Sequence, residues 1–99
     1  MSRQNAVASI QVDDKRTRVT RWDFEPGAET GWHCHELPYV IVPLTMCEML
    51  LEEPGGGSRT VTIDQGVSYS REAGVEHNVV NGGDGPMSFI EVELKTPAG

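Results

Sequence analysis

The chain has 99 residues and a mass of 10.8 kDa, enough for one hydrophobic core with little stability in reserve. A hydrophobic fraction of 37% and a charged fraction of 23% are ordinary for a globular protein and argue against disorder. A net charge of -7, with eight basic residues scattered or confined to the short run Lys15-Arg16-Thr17-Arg18, argues against the basic face of a nucleic-acid binder.

No apolar stretch approaches the roughly 20 residues of a membrane span. The N-terminal MSRQNAVASIQVDD lacks the long apolar core of a signal peptide, so a cytoplasmic protein with no membrane partner is expected. Two cysteines, Cys34 and Cys47, are too few for a disulfide scaffold and are compatible with a reducing compartment as thiols.

Along the chain there is no amphipathic 3.6-residue pattern of any length. Short runs rich in Val, Ile, Thr, Trp and Tyr recur between turn signals instead, which predicts an all-β protein. The predicted strands are 6–12, 18–24, 31–35, 39–44, 47–52, 60–63, 67–70, 77–81 and 87–95. Between them lie Glu25-Pro26-Gly27, Pro54-Gly55-Gly56-Gly57 and the run from Asn81 to Pro86, all with turn chemistry. Short loops require antiparallel pairing, and so many short strands in one small domain leave a double-sheet jelly-roll barrel or a Greek-key sandwich.

The three histidines are placed to bind a metal. On a strand, side chains alternate faces, so His33 and His35 point the same way and Cys34 points to the other. His77, in a second glycine-punctuated segment, supplies a third imidazole from a neighbouring strand and leaves further coordination positions open. Imidazole ligands discriminate poorly among divalent ions, so iron, manganese, nickel, zinc and copper all suit such a site.

The segments GAETGWHCH (27–35) with LPYVIVPL after Glu36, and GVSYSREAGVEHNVVN (66–81), resemble in order the two signature motifs of the cupin superfamily, as found in its small single-domain members. Gly27 precedes the His33-x-His35 pair as the first motif requires, and Gly66, Gly74, His77 and Asn81 match the second. The resemblance implies one domain over 1–99, a double-stranded β-helix with its barrel core at about 18–95, and a metal held by His33, His35 and His77. Small cupins often form homodimers by lending an N-terminal strand, and 6–12 is placed to be lent; sheet edges also need cover.

Three positions depart from the motifs. The glutamate ligand beyond the second histidine is missing, for Tyr39 and Val40 stand there, and Glu36 faces away by strand alternation. The glycine ending the first motif is replaced around Met46 and Cys47, and Glu72 replaces the usual proline of the second. A neutral three-imidazole face leaves a bound ion its full charge and favours an anionic ligand. Similar three-histidine cupins include dioxygenases, so the resemblance implies a metal-dependent dioxygenase or isomerase of a small organic anion, or else a non-catalytic ligand-binding or sensing module.

Tyr39 shares the parity of His35 and is a candidate to donate a phenolic hydrogen bond to bound ligand. Trp22, Phe24 and Phe89 are expected in the core or pocket wall, Trp32 opposite the histidines, and Cys34 and Cys47 in packing roles. On the last strand the apolar set Ile90, Val92 and Leu94 most simply faces the core; the alternative turns Glu91 into the cavity as a general base. Asn81 is expected to cap its turn, and Gly27, Gly66 and Gly74 to meet backbone requirements.

Overall fold

The structure, a computed structural model, describes residues 3–95. Nine strands make it up: β1 (Val7–Asp13), β2 (Thr17–Phe24), β3 (His33–Cys34), β4 (Tyr39–Pro43), β5 (Cys47–Glu52), β6 (Ser58–Ile63), β7 (Tyr69–Arg71), β8 (Glu76–Asn81) and β9 (Met87–Leu94). They form two facing sheets, in the orders β1-β2-β9-β4-β7 and β3-β8-β5-β6, with every strand pair antiparallel. All nine predicted strands are present, with ends shifted by a few residues; the largest change is at 31–35, where only His33 and Cys34 pair.

Period-two alternation sets what each sheet turns inward. From β4 and β5 these are Tyr39, Ile41 and Pro43, and Cys47, Met49 and Leu51; β2 and β9 add Phe24, Met87 and Phe89. Phe24 and Phe89 pack with ring centroids 5.4 Å apart within the core, and Phe89 also lines the cavity that holds the histidines.

The expected facing of β9 is overturned. Met87, Phe89 and Glu91 are buried, whereas Ile90 and Val92 point outward and Leu94 is exposed. Register explains it: Phe89 stands opposite Trp22 and Glu91 opposite Thr20, so the pleat that buries the aromatics carries Glu91 inward with them. Cys34, expected to pack, is exposed, as is Trp32 at 53%, whereas Cys47 is buried.

The outer face of the larger sheet consequently carries a row of four valines, Val12, Val19, Val92 and Val40, directly opposite one another across β1, β2, β9 and β4. β1 pairs with β2 of its own chain, and all seven of its residues are exposed. At the far side, β7 and β6 end their respective sheets without pairing to each other.

The turns follow the glycine pattern. Gly74 has φ +100° and donates its N–H to the His35 carbonyl at 2.7 Å, closing the loop that brings His77 beneath His35. Asn81 caps its turn as expected, donating from Nδ2 to the Gly85 carbonyl at 2.9 Å and accepting at Oδ1 from the Gly83 N–H at 3.0 Å.

Candidate metal centre

His33 and His77 stand directly opposite in the short β3–β8 ladder, and His35 lies two residues beyond His33 on the same face. Their Nε2 atoms converge, His33 to His35 at 2.9 Å and His35 to His77 at 3.1 Å, on the inside of the barrel. Ligands about 2.1 Å from one ion at adjacent right-angled positions lie about 3.0 Å apart, so these two spacings are those of neighbouring imidazoles on one metal, and all three ligand atoms lie within 4.8 Å of one another. The three histidines are the group of potential ligands found among the described residues, and they are positioned to hold a metal ion.

The tautomers suit the same purpose. The His33 Nδ1 lies 2.8 Å from the Gly31 carbonyl, which only accepts, so Nδ1 carries the proton and the Nε2 lone pair faces inward. Asn78, next to His77, fixes the loop that provides this carbonyl. Its Oδ1 accepts from the Gly31 N–H at 3.0 Å, while its Nδ2 donates to Glu29 and Glu52 at 2.7 and 2.8 Å.

Burial, reinforced by the neighbouring His33, pushes the pKa of His35 down to about 4. Burial likewise pushes His77 down to about 3, with His33 and His35 adding to the effect. Both rings are therefore neutral at pH 7, as metal ligands must be. Tyr39 stacks on His35 with ring centroids 3.9 Å apart and planes 21° from parallel, which holds that imidazole in place. Its hydroxyl makes no hydrogen bond to any described residue, and burial pushes its pKa up to about 12, so it remains a donor.

Glu91 enters the same cavity. Its Oε2 is 3.7 Å from His35 Nδ1, and Trp22 Nε1–H donates to its Oε1 at 3.5 Å. Burial, with Glu93 adding to it, raises its pKa to about 7. At that distance, with burial favouring the neutral form of both groups, the pair is a neutral imidazole beside a half-protonated carboxyl rather than an ion pair. Glu91 lies behind the ring of His35, outside the ligand group, and so does not replace the missing glutamate ligand.

The cavity is narrow, about 30 Å³, with Ile41, Met49, Leu51, Val79 and Phe89 as apolar wall and His33, His35, His77, Tyr39, Glu91 and Arg71 as its main polar groups. The structure thus brings Tyr39 and the three histidines together. Glu36 is exposed, as strand alternation requires, and Cys34 is turned away. Arg71, Thr30 and Asn78 were not expected. Arg71 is legible in retrospect, since it alternates with Tyr69 on a strand whose other residue, Ser70, is exposed.

Comparison with known proteins agrees with this geometry. The family model described as "Cupin domain" matches residues 20–93, from β2 through most of β9. A protein named "Beta-alanine degradation protein BauB" from Pseudomonas aeruginosa is 48% identical over 93 residues, covering 94% of this chain and 97% of that protein. The crystal structure of a cupin domain from Bordetella pertussis Tohama I superposes with a TM-score of 0.92 at 49% identity, covering 97% of this chain and 99% of the other. The polyketide cyclase RemF from Streptomyces resistomycificus, at 23% identity, TM-score 0.71 and coverage of 97% and 71%, shares the fold. With both histidine motifs inside the matched span and the two sheets closing around them, the chain belongs to the cupin family.

Proposed function

We propose that this protein is a metal-dependent enzyme acting on a small organic anion, with one divalent ion held by His33, His35 and His77. The observation that carries the reading is the convergence of three Nε2 atoms, 2.9 and 3.1 Å apart in succession, on a cavity that continues to the surface. When bound, such an ion supplies Lewis acidity and, if redox-active, reactivity towards dioxygen, which suits an isomerase or a dioxygenase.

The chain's own residues supply the remainder. Tyr39 offers an unengaged hydroxyl as hydrogen-bond donor to the ligand, and Glu91 holds a proton near neutral pH at the back of His35. The apolar wall of Ile41, Met49, Leu51, Val79 and Phe89 leaves room for only about one or two waters beside the histidines. The likeness to a protein named for β-alanine degradation supports a short carboxylate as the substrate class.

The test is reconstitution of the metal-free chain with iron, manganese, nickel, zinc or copper, followed by oxygen uptake and product analysis with three-carbon carboxylates. Turnover with one of these ions that is lost in His35→Ala supports the reading. Stoichiometric binding with no turnover for any ion favours the non-catalytic ligand-binding module.

We further propose that a second copy of the chain covers the outer row of Val12, Val19, Val92 and Val40. Contiguous apolar surface of this kind is favoured by burial, and a two-fold pairing of one face is the commonest way to achieve it.

A further inference from the structure

The metal cavity is too narrow for an organic substrate on its own. At about 30 Å³ it has room for about one or two waters. It adjoins a larger groove of about 310 Å³ between the unpaired edges of β6 and β7, floored by Leu51, Val61 and Ile63. Leu51, Tyr69 and Arg71 line both spaces.

Two arginines flank this groove, and they differ. Arg59 is engaged, its Nε 3.1 Å from Glu53 Oε1. Arg71 is partly buried and directly opposite Tyr39 in the β4–β7 pairing, yet among the described residues its guanidinium makes no hydrogen bond and has no carboxylate within 4.0 Å. Glu91 lines the cavity too, but against His35 and Trp22. The nitrogens of Arg71, none of them buried, stay open to a ligand in the groove, and the planar fork of a guanidinium matches a carboxylate.

We infer that Arg71 anchors the carboxylate of the substrate at the junction of groove and cavity, so that a short apolar body lies on Leu51, Val61 and Ile63 and the reacting end reaches the histidines. This rests on the proposed function for what the reacting end meets, and it names the substrate class as short-chain monocarboxylates. Arg71 is a positioning residue here: it binds the end of the molecule that does not react.

The experiment is a titration of the full metal-free chain with propionate and with its neutral isostere propionamide, followed by NMR, on the native protein and on Arg71→Gln, Arg71→Lys and Arg59→Gln. The native chain is expected to prefer propionate by about tenfold or more. Arg71→Gln removes that preference, Arg71→Lys keeps part of it, and Arg59→Gln changes it less than about threefold. Equal binding of the two probes by the native chain, or an undiminished preference in Arg71→Gln, overturns the inference. Metal content measured alongside separates the two readings. An Arg71-dependent preference in a chain that loads no metal leaves this inference standing and removes the metal-dependent one; a metal-loaded chain with no preference does the reverse.

Discussion

The Nδ1 of His35 and the Oε2 of Glu91 lie 3.7 Å apart inside the barrel, too far for a hydrogen bond, and burial rather than mutual attraction sets the protonation of both. Burial raises the pKa of Glu91 to about 7 in the folded chain, against an ordinary value of 4.5. Between those two values the folded state binds more protons than the unfolded state, so this group's contribution to stability falls as pH rises from about 4.5 to 7. Metal-free Glu91→Gln is expected to be more stable than the native chain above pH 7, by on the order of 1–3 kcal/mol, and to lose that advantage towards pH 5. Urea unfolding at a series of pH values measures it; a pH-independent difference refutes the buried carboxyl.

Tyr39 has two separable functions, stacking and donation. Tyr39→Phe keeps the ring on His35 and is expected to leave metal content unchanged and stability within about 1 kcal/mol, while weakening ligand binding. Tyr39→Ala removes a core ring and is expected to cost about 3–5 kcal/mol. Equal ligand affinity in native protein and Tyr39→Phe removes the hydroxyl from the site.

Asn78 is the support behind His33. Replacing it with Ala frees Glu29, Glu52 and the Gly31 N–H from their shared partner. The expected loss is about 2–3 kcal/mol, with a lowered melting temperature and a roughly tenfold or greater weakening of metal affinity through the Gly31 carbonyl. Calorimetry and competitive chelation report the two effects separately, and native-like values for both deny Asn78 this role.

The valine row leads to an oligomeric state. Light scattering at micromolar concentration is expected to report two chains per particle for the native protein and one for Val92→Glu, which puts a charge in the middle of the row. A native monomer refutes the proposed dimer.

Much of the barrel was legible in the chain because alternation and turn chemistry are local. The Asn81 turn and the loop at Gly74 follow from residues within a few positions of each other, and the His33-x-His35 pair carries its own facing rule. The facing of β9 was not legible. Ile90, Val92 and Leu94 form an apolar set as convincing as Met87 and Phe89, and only the register against Trp22 and Thr20 decides which set is buried. The facing of Arg71 follows from its alternation with Tyr69, but what marks it as a ligand group is the lack of a partner for its guanidinium, which is a property of the assembled strands and not of its neighbours in sequence.

The direct test of the three-histidine site is elemental analysis of the untagged protein, native and His77→Ala, purified without chelator. One divalent ion per native chain, falling to less than about a tenth of that in the variant, is the expected result, because two imidazoles hold a metal far more weakly than three. No metal in the native chain after reconstitution, or equal metal in both proteins, contradicts the assignment of His33, His35 and His77 as its ligands.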